Sequence, residues 1–243
     1  MPMHSRAGHA GGIMPGAMIR IIALLTLMAL LGTQAVPVSA LGAQDVELDR
    51  QVVAEINAAR TRPQAYIQGL IAYRATIRDG YAFKTMQGQY GPYTARVRLK
   101  EGVGGVDKAI DFLQRQRPVA PVAGDTLLRN AARRFAEDQA ETGVWGHTAA
   151  DGSDLAARIA RDGTRRIANA ETIMYGKSTA HDIVMHLIID DGVRDRSHRD
   201  VIFDGSLTLV GTACRPHPKW TICVSEYSSN ESDAVRQRYR SPR

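Results

Sequence analysis

Trp145-Gly-His-Thr-Ala-Ala-Asp-Gly152, Asn169-Ala-Glu-Thr-Ile-Met-Tyr175, and Ile189-Asp-Asp-Gly192 followed by Arg196-Ser-His-Arg199 lie within residues 145–226, and their reading decides the rest of the chain. They put two imidazoles, His147 and His198, and one carboxylate, Glu171, on three short segments of different local character. His147 follows a helix end and precedes the turn Ala150-Asp151-Gly152, while His198 follows a glycine-containing turn and begins a helical turn. Side chains at such loop edges are held by a rigid scaffold yet reach solvent. The three groups are therefore candidates for one composite polar site. The other histidines carry less. His4 and His9 fall in a leader, His217 falls in a turn, and His181 and His186 stand five apart on one helix and so on different faces.

Outward from these segments, residues 127–142 read as the clearest helix. Leu128, Ala131, Ala132, Phe135 and Gln139 share one side, Asp125 or Thr126 caps its start, and Gly143 stands just past its end. Its polar face reads as solvated, with Arg134 and Asp138 spaced as an i,i+4 pair. Ser153 is expected to cap a short helix ending at Asp162-Gly163, and residues 166–175 form a strand that carries Glu171. Ser178 or Thr179 starts a helix with Ile183, Val184, Leu187 and Ile188 inward, ending at Asp190-Asp191-Gly192. The chain then alternates through Leu207, Leu209 and Gly211 and again through Trp220, Ile222 and Val224, a hairpin pattern. With Pro218 and Lys219 at its centre, Cys214 stands opposite Cys223. An exported chain has the oxidising surroundings to join them, and the sequence holds no other cysteine.

Towards the amino terminus, residues 45–60 and a segment opening at Pro63 have helical spacing, the second running to Asp79-Gly80. Residues 80–105 are rich in Gly and Tyr without a sustained period and read as an extended loop or a short hairpin; 106–115 return to a helix. Residues 1–40 contain no acid, and their apolar run 21–31 is too short to cross about 30 Å of hydrocarbon. Val38-Ser39-Ala40 follows as a small-x-small cleavage site, with Leu41-Gly42-Ala43 as a second frame, so 1–40 read as a secretory signal. The division is then a signal at 1–40, amino-terminal helices and loop at 41–126, a core with the cleft at 127–228, and a basic tail at 229–243.

The 243 residues with 44% hydrophobic content suffice for one domain with a proper core. The net charge of +6 is spread along the chain among 25 acids, and no aromatic stacking platform accompanies the tail arginines Arg236, Arg238, Arg240 and Arg243. That distribution argues against nucleic acid as a partner. No H-E-x-x-H helix, G-x-S-x-G elbow or nucleophilic cysteine supplies a complete catalytic apparatus.

His147-Thr148 with Asp151-Gly152, Glu171-Thr-Ile173 ahead of Tyr175-Gly176, Ile189-Asp-Asp-Gly192-Val ahead of Ser197-His198-Arg199, and Val210-Gly211 together resemble the CAP superfamily of cysteine-rich secretory proteins, antigen 5 and pathogenesis-related proteins, in its bacterial secreted branch. The resemblance covers about residues 46–228. It implies an α+β fold, a three-layer α/β/α sandwich around a central antiparallel sheet, with a cleft of two histidines and two acids. Carried over by motif, His147, Glu171 and His198 are three of the four, and the second acid is Asp190 or Asp191 where relatives have Glu. Thr172 stands where an Asn commonly follows the cleft Glu, and Ala170 where a Gly precedes it. Two neutral imidazoles with one or two carboxylates match the ligand set of zinc or a similar divalent ion. The resulting expectation is a secreted or periplasmic protein, with no membrane-spanning segment once the signal is removed, whose cleft binds a divalent cation and an extracellular small molecule, lipid or peptide. The alternative is a metal-dependent hydrolase with Glu171 as general base.

Overall fold

The structure, a computed structural model, describes residues 38–88, 91–161, 169–217 and 220–229. Residues 1–37, most of the expected signal at 1–40, and residues 230–243 lie outside the described residues. Helix α1 (Val38–Thr61) leads through a 3-10 turn (Pro63–Ala65) into α2 (Tyr66–Ala75), with Pro63 at the first position of that turn. The segment left open as loop or hairpin is a small antiparallel sheet of β1 (Ile77–Arg78), β2 (Tyr81–Gly88) and β3 (Gly91–Arg98). Asp79 and Gly80, with φ of 51° and 77°, make its first tight turn. Helix α3 (Val103–Arg115) follows, then the short strand β4 (Ala123–Gly124) and helix α4 (Thr126–Thr142).

Asp125 caps α4 by accepting from Leu128 N, and Gly143 closes it in the left-handed region at φ 73°. Helix α5 (Leu155–Ala160) is capped by Asp154, whose side chain accepts from Ala157 N, and not by Ser153 as expected. Strand β5 (Asn169–Tyr175), helices α6 (Ala180–Ile189) and α7 (Ser197–Phe203), and the strands β6 (Leu209–His217) and β7 (Trp220–Ser228) complete the chain. On the exposed side of α4 Arg133 pairs with Glu137. Asp138 accepts from Ala150 N of the following loop.

The main sheet runs β4-β6-β7-β5, antiparallel apart from the two-residue β4–β6 pairing. Its two faces follow from strand alternation. Val210, Cys214, Cys223 and Tyr227 point to one side and pack with α1, α2, α3 and α6 in the larger core. Ile173, Ala213, Ile222 and Val224 point to the other and pack on Ala132, Phe135 and Ala136 of α4. This is the α/β/α arrangement implied by the resemblance. The register places Cys214 opposite Cys223, and the two form a disulfide. Among the described residues no helix is long and apolar enough to cross a membrane.

Two residues of α1 fasten the layers. Arg60 is fully buried and donates to four carbonyl oxygens, Ala120 O at 2.8 Å, Ile202 O at 2.7 Å, Asp204 O at 3.0 Å and Leu207 O at 3.1 Å. Asn57 exchanges two hydrogen bonds with the backbone of Val122. Gly211 fixes the spacing of α4 on β6: a Cβ built there would stand 1.9 Å from Arg129 N and 2.2 Å from the Leu128 carbonyl carbon. Helix backbone cannot yield to such a clash without moving the layer. Gly211→Ala should therefore lower stability by about 3 kcal/mol or more, whereas Gly124→Ala, with open space around its Cβ, should cost far less. Chemical denaturation of the two variants checks this, and equal losses would contradict it.

Candidate functional site

The two histidines reach one cleft by separate routes. His147 lies in the loop after α4, and Gln139 from that helix donates to Gly146 O at 2.7 Å. Gly146 N donates to the Tyr175 hydroxyl at 3.1 Å, which itself donates to Gln139 Oε1 at 2.9 Å. This three-way lock sets the loop in which the His147 ring stands. The ring's Nδ1 lies 2.7 Å from Glu171 Oε1. The second oxygen of Glu171 accepts from Arg158 Nη2, and Arg158 also donates to His147 O at 2.9 Å.

His198 begins α7, and its Nδ1 lies 2.7 Å from Asp190 Oδ1. The other Asp190 oxygen accepts from His198 N at 3.0 Å and Arg199 N at 3.3 Å, satisfying donors that a helix start leaves open. Asp190 reaches them from the left-handed end of α6, at φ 55°. Arg199 returns to the same end, donating to Ile188 O at 2.6 Å and Ile189 O at 3.0 Å.

The structure thus brings together His147, Glu171, His198 and Asp190, with the imidazole centroids 6.3 Å apart. Asp191 is placed elsewhere, its oxygens accepting from Lys100 N at 2.7 Å and Glu101 N at 2.9 Å. Each neutral ring must carry its proton on Nδ1 to donate to its carboxylate, so the nitrogen left for a ligand is Nε2. Glu171 and Asp190 act as orienting partners of the imidazoles. Among the described residues no group of three or more His, Cys, Asp or Glu side chains is arranged to hold a metal ion. The protein's own donors toward an ion are then two Nε2 atoms. Two imidazoles on one ion at about 2.0–2.1 Å have centroids roughly 5–6 Å apart, and the two rings here stand somewhat wider, at 6.3 Å. The His147 side chain is 58% exposed and that of His198 19% exposed, which leaves the pair open to solvent on one side. The hydrogen bond that its Nδ1–H donates to Glu171 raises the His147 pKa above its usual value, with partial burial opposing it. Its contribution to stability is present below the unfolded value near 6.5 and is lost as pH rises through the folded one.

His181 and His186 do not join the cleft. His181 pairs with Glu55 and stacks on Tyr66, and His186 is half-buried, edge-on to Tyr73 at 5.0 Å.

Two residues behind the site escaped the sequence reading. Arg158 stands in α5 with its guanidinium 3.6 Å over the Phe135 ring. Glu226 lies directly opposite Glu171 in the β5–β7 register, fully buried, with Arg158 Nε 3.6 Å from its Oε1. One buried cation between two buried acids can balance only one of them. Arg158 hydrogen-bonds Glu171, and the Glu226 carboxyl is pushed up to about 8, by burial first and the neighbouring Glu171 second. A signal existed for both. Arg158 is a lone charge in the run Leu155-Ala-Ala-Arg-Ile-Ala160, and Glu226 continues the inward set Ile222, Val224.

The sequence profile of the cysteine-rich secretory protein family, CAP, matches residues 53–227. A search of curated proteins found no match. Among solved structures, an outer surface protein from Borrelia burgdorferi is similar at 16% identity and a TM-score of 0.41, over 46% of this chain and 80% of that one. An extracellular protein containing a SCP domain from Bacillus anthracis follows at 12% and 0.39, over 53% of this chain and 38% of that one. A cysteine-rich secretory protein from Staphylococcus aureus follows at 10% and 0.37, over 72% and 60%. This chain spans less than two thirds of the last two. At these TM-scores the likenesses add no weight to the family match.

Glu226 carries a testable consequence. Its unfolded value is the ordinary 4.5 and its folded value about 8, so folding takes up a proton between them, and stability falls as pH rises through that window. Glu226→Gln should flatten this fall, gaining roughly 2–4 kcal/mol on wild type between pH 4 and pH 9. Denaturation midpoints across that range measure it; an unchanged profile would show that Glu226 titrates normally.

Proposed function

The chain belongs to the CAP family of cysteine-rich secretory proteins, and from that premise we propose that it is an exported domain whose cleft holds one divalent cation, zinc or a similar ion, between His147 and His198. The observation that carries this reading is the pairing of each Nδ1 with a carboxylate, His147 with Glu171 and His198 with Asp190, which turns both Nε2 atoms to the role of ligand. The bound ion would act as a Lewis acid for an oxygen-bearing ligand. The chain's own residues hold the two rings in orientation and leave one side open to an extracellular small molecule, lipid or peptide.

No observation favours the hydrolase alternative. Glu171, its intended general base, has one oxygen on His147 and the other on Arg158, with its side chain 2% exposed. A water-activating base needs an accessible oxygen beside the reacting proton.

With two protein donors, affinity should fall short of the roughly 10–16 kcal/mol of structural zinc sites, a dissociation constant weaker than about 10⁻⁷ M. Titration calorimetry with zinc should find one site, weakened at least about tenfold by His147→Ala or His198→Ala. His181→Ala should leave it unchanged. Equal affinity in wild type and in the His147→Ala, His198→Ala double variant would overturn the proposal.

A further inference from the structure

Helix α2, the β2–β3 hairpin and helix α6 line a half-open pocket of about 360 Å³ whose lining includes none of His147, Glu171, Asp190 and His198. Its size falls within the roughly 300–1,000 Å³ range of small-molecule sites. Ala72, Ala82, Val97 and Met185 supply an apolar wall. His186, also in the wall, is held neutral, its pKa lowered to about 3 chiefly by burial.

The polar end carries Lys84, Lys177 and Asp182. Lys84 forms an ion pair with Asp182. Lys177 is half-buried, and among the described residues its ammonium has no hydrogen bond or ion pair; burial lowers its pKa, Asp182 opposing and Lys84 adding to the effect. Two lysines thus share the single carboxylate of Asp182, and a partly desolvated cation left without an ion pair of its own is costly. Lys177 stands beside the apolar wall of Ala72, Ala82, Val97 and Met185.

We infer that this chamber is a second binding site, for a small amphipathic anion: a carboxylate placed on Lys177 Nζ with its apolar part against Ala72, Ala82, Val97 and Met185. One negative charge on the ligand completes the set, since Asp182 already answers Lys84. A neutral ligand of the same shape leaves Lys177 unmatched, and a cationic one repels both lysines. The site does not depend on the cation in the histidine cleft.

Decanoate is a suitable probe, titrated calorimetrically below its micelle concentration into the full chain with EDTA present. One saturable site is expected, with decanol and decyltrimethylammonium at least tenfold weaker. Lys177→Gln should weaken decanoate at least tenfold. Val97→Trp, at a position 42% exposed, should narrow the chamber and lower affinity similarly, with unchanged melting temperatures showing that both variants fold. Decanoate binding should persist in the His147→Ala, His198→Ala double variant, so failure here and failure of the cation site are separable. Absence of saturable binding, equal affinity for decanoate and decanol, or indifference to Lys177→Gln would overturn the inference.

Discussion

The guanidinium of Arg158 is the contact on which the cleft depends. It lies over the Phe135 ring, donates to Glu171 and to the carbonyl of His147, and stands beside Glu226. Buried this deeply, a cation persists only with charge and hydrogen bonds around it. Because two acids compete for one base, the balance is met by keeping Glu226 protonated. Glu171 then keeps both of its partners, and the His147 ring inherits its orientation from a chain of contacts that begins on α4. Loss of Arg158 would leave two facing carboxylates in the same dry layer, so the layer and the site stand or fall together.

The second half of the cleft solves the same problem with different parts. Asp190 leaves α6 in a left-handed conformation that L residues other than Gly, Asn and Asp seldom adopt. That conformation lets one short side chain hold the His198 ring and meet two backbone donors of α7. Arg199 and Arg196 tie the carbonyls of Ile188, Ile189 and Asp190 at the same corner. The shorter reach of Asp compared with Glu suits this arrangement, where acid and imidazole are only eight residues apart. Two unlike scaffolds thus present the same unit, a carboxylate on Nδ1 and an open Nε2, 6.3 Å apart between ring centres.

What was legible in the sequence was local. The apolar period of 127–142, the cap at Asp125 and the glycine at 143 specify α4 within a few residues. Alternation about Pro218-Lys219 gave the register that joins Cys214 to Cys223. The three segments bearing His147, Glu171 and His198 do converge, as their family resemblance implied. Roles were less legible than positions. Whether Glu171 touches an ion or an imidazole depends on which ring nitrogen faces it, a tertiary matter. Asp190 and Asp191 are equivalent in sequence, and only the backbone turn at Asp190 separates them. Arg158, Glu226 and Arg60 were missed because charged residues default to the surface, while here each is buried with partners from distant segments.

The central claim is that carboxylates fix both imidazoles with Nε2 as the free nitrogen. Long-range ¹H–¹⁵N correlation of the histidine side chains at pH 8 tests it directly. Without metal, His147 and His198 should both carry the proton on Nδ1, and zinc should shift Nε2 of both rings together. Zinc shifting Nδ1 of either ring, or acting on His181 in place of the pair, would contradict the account.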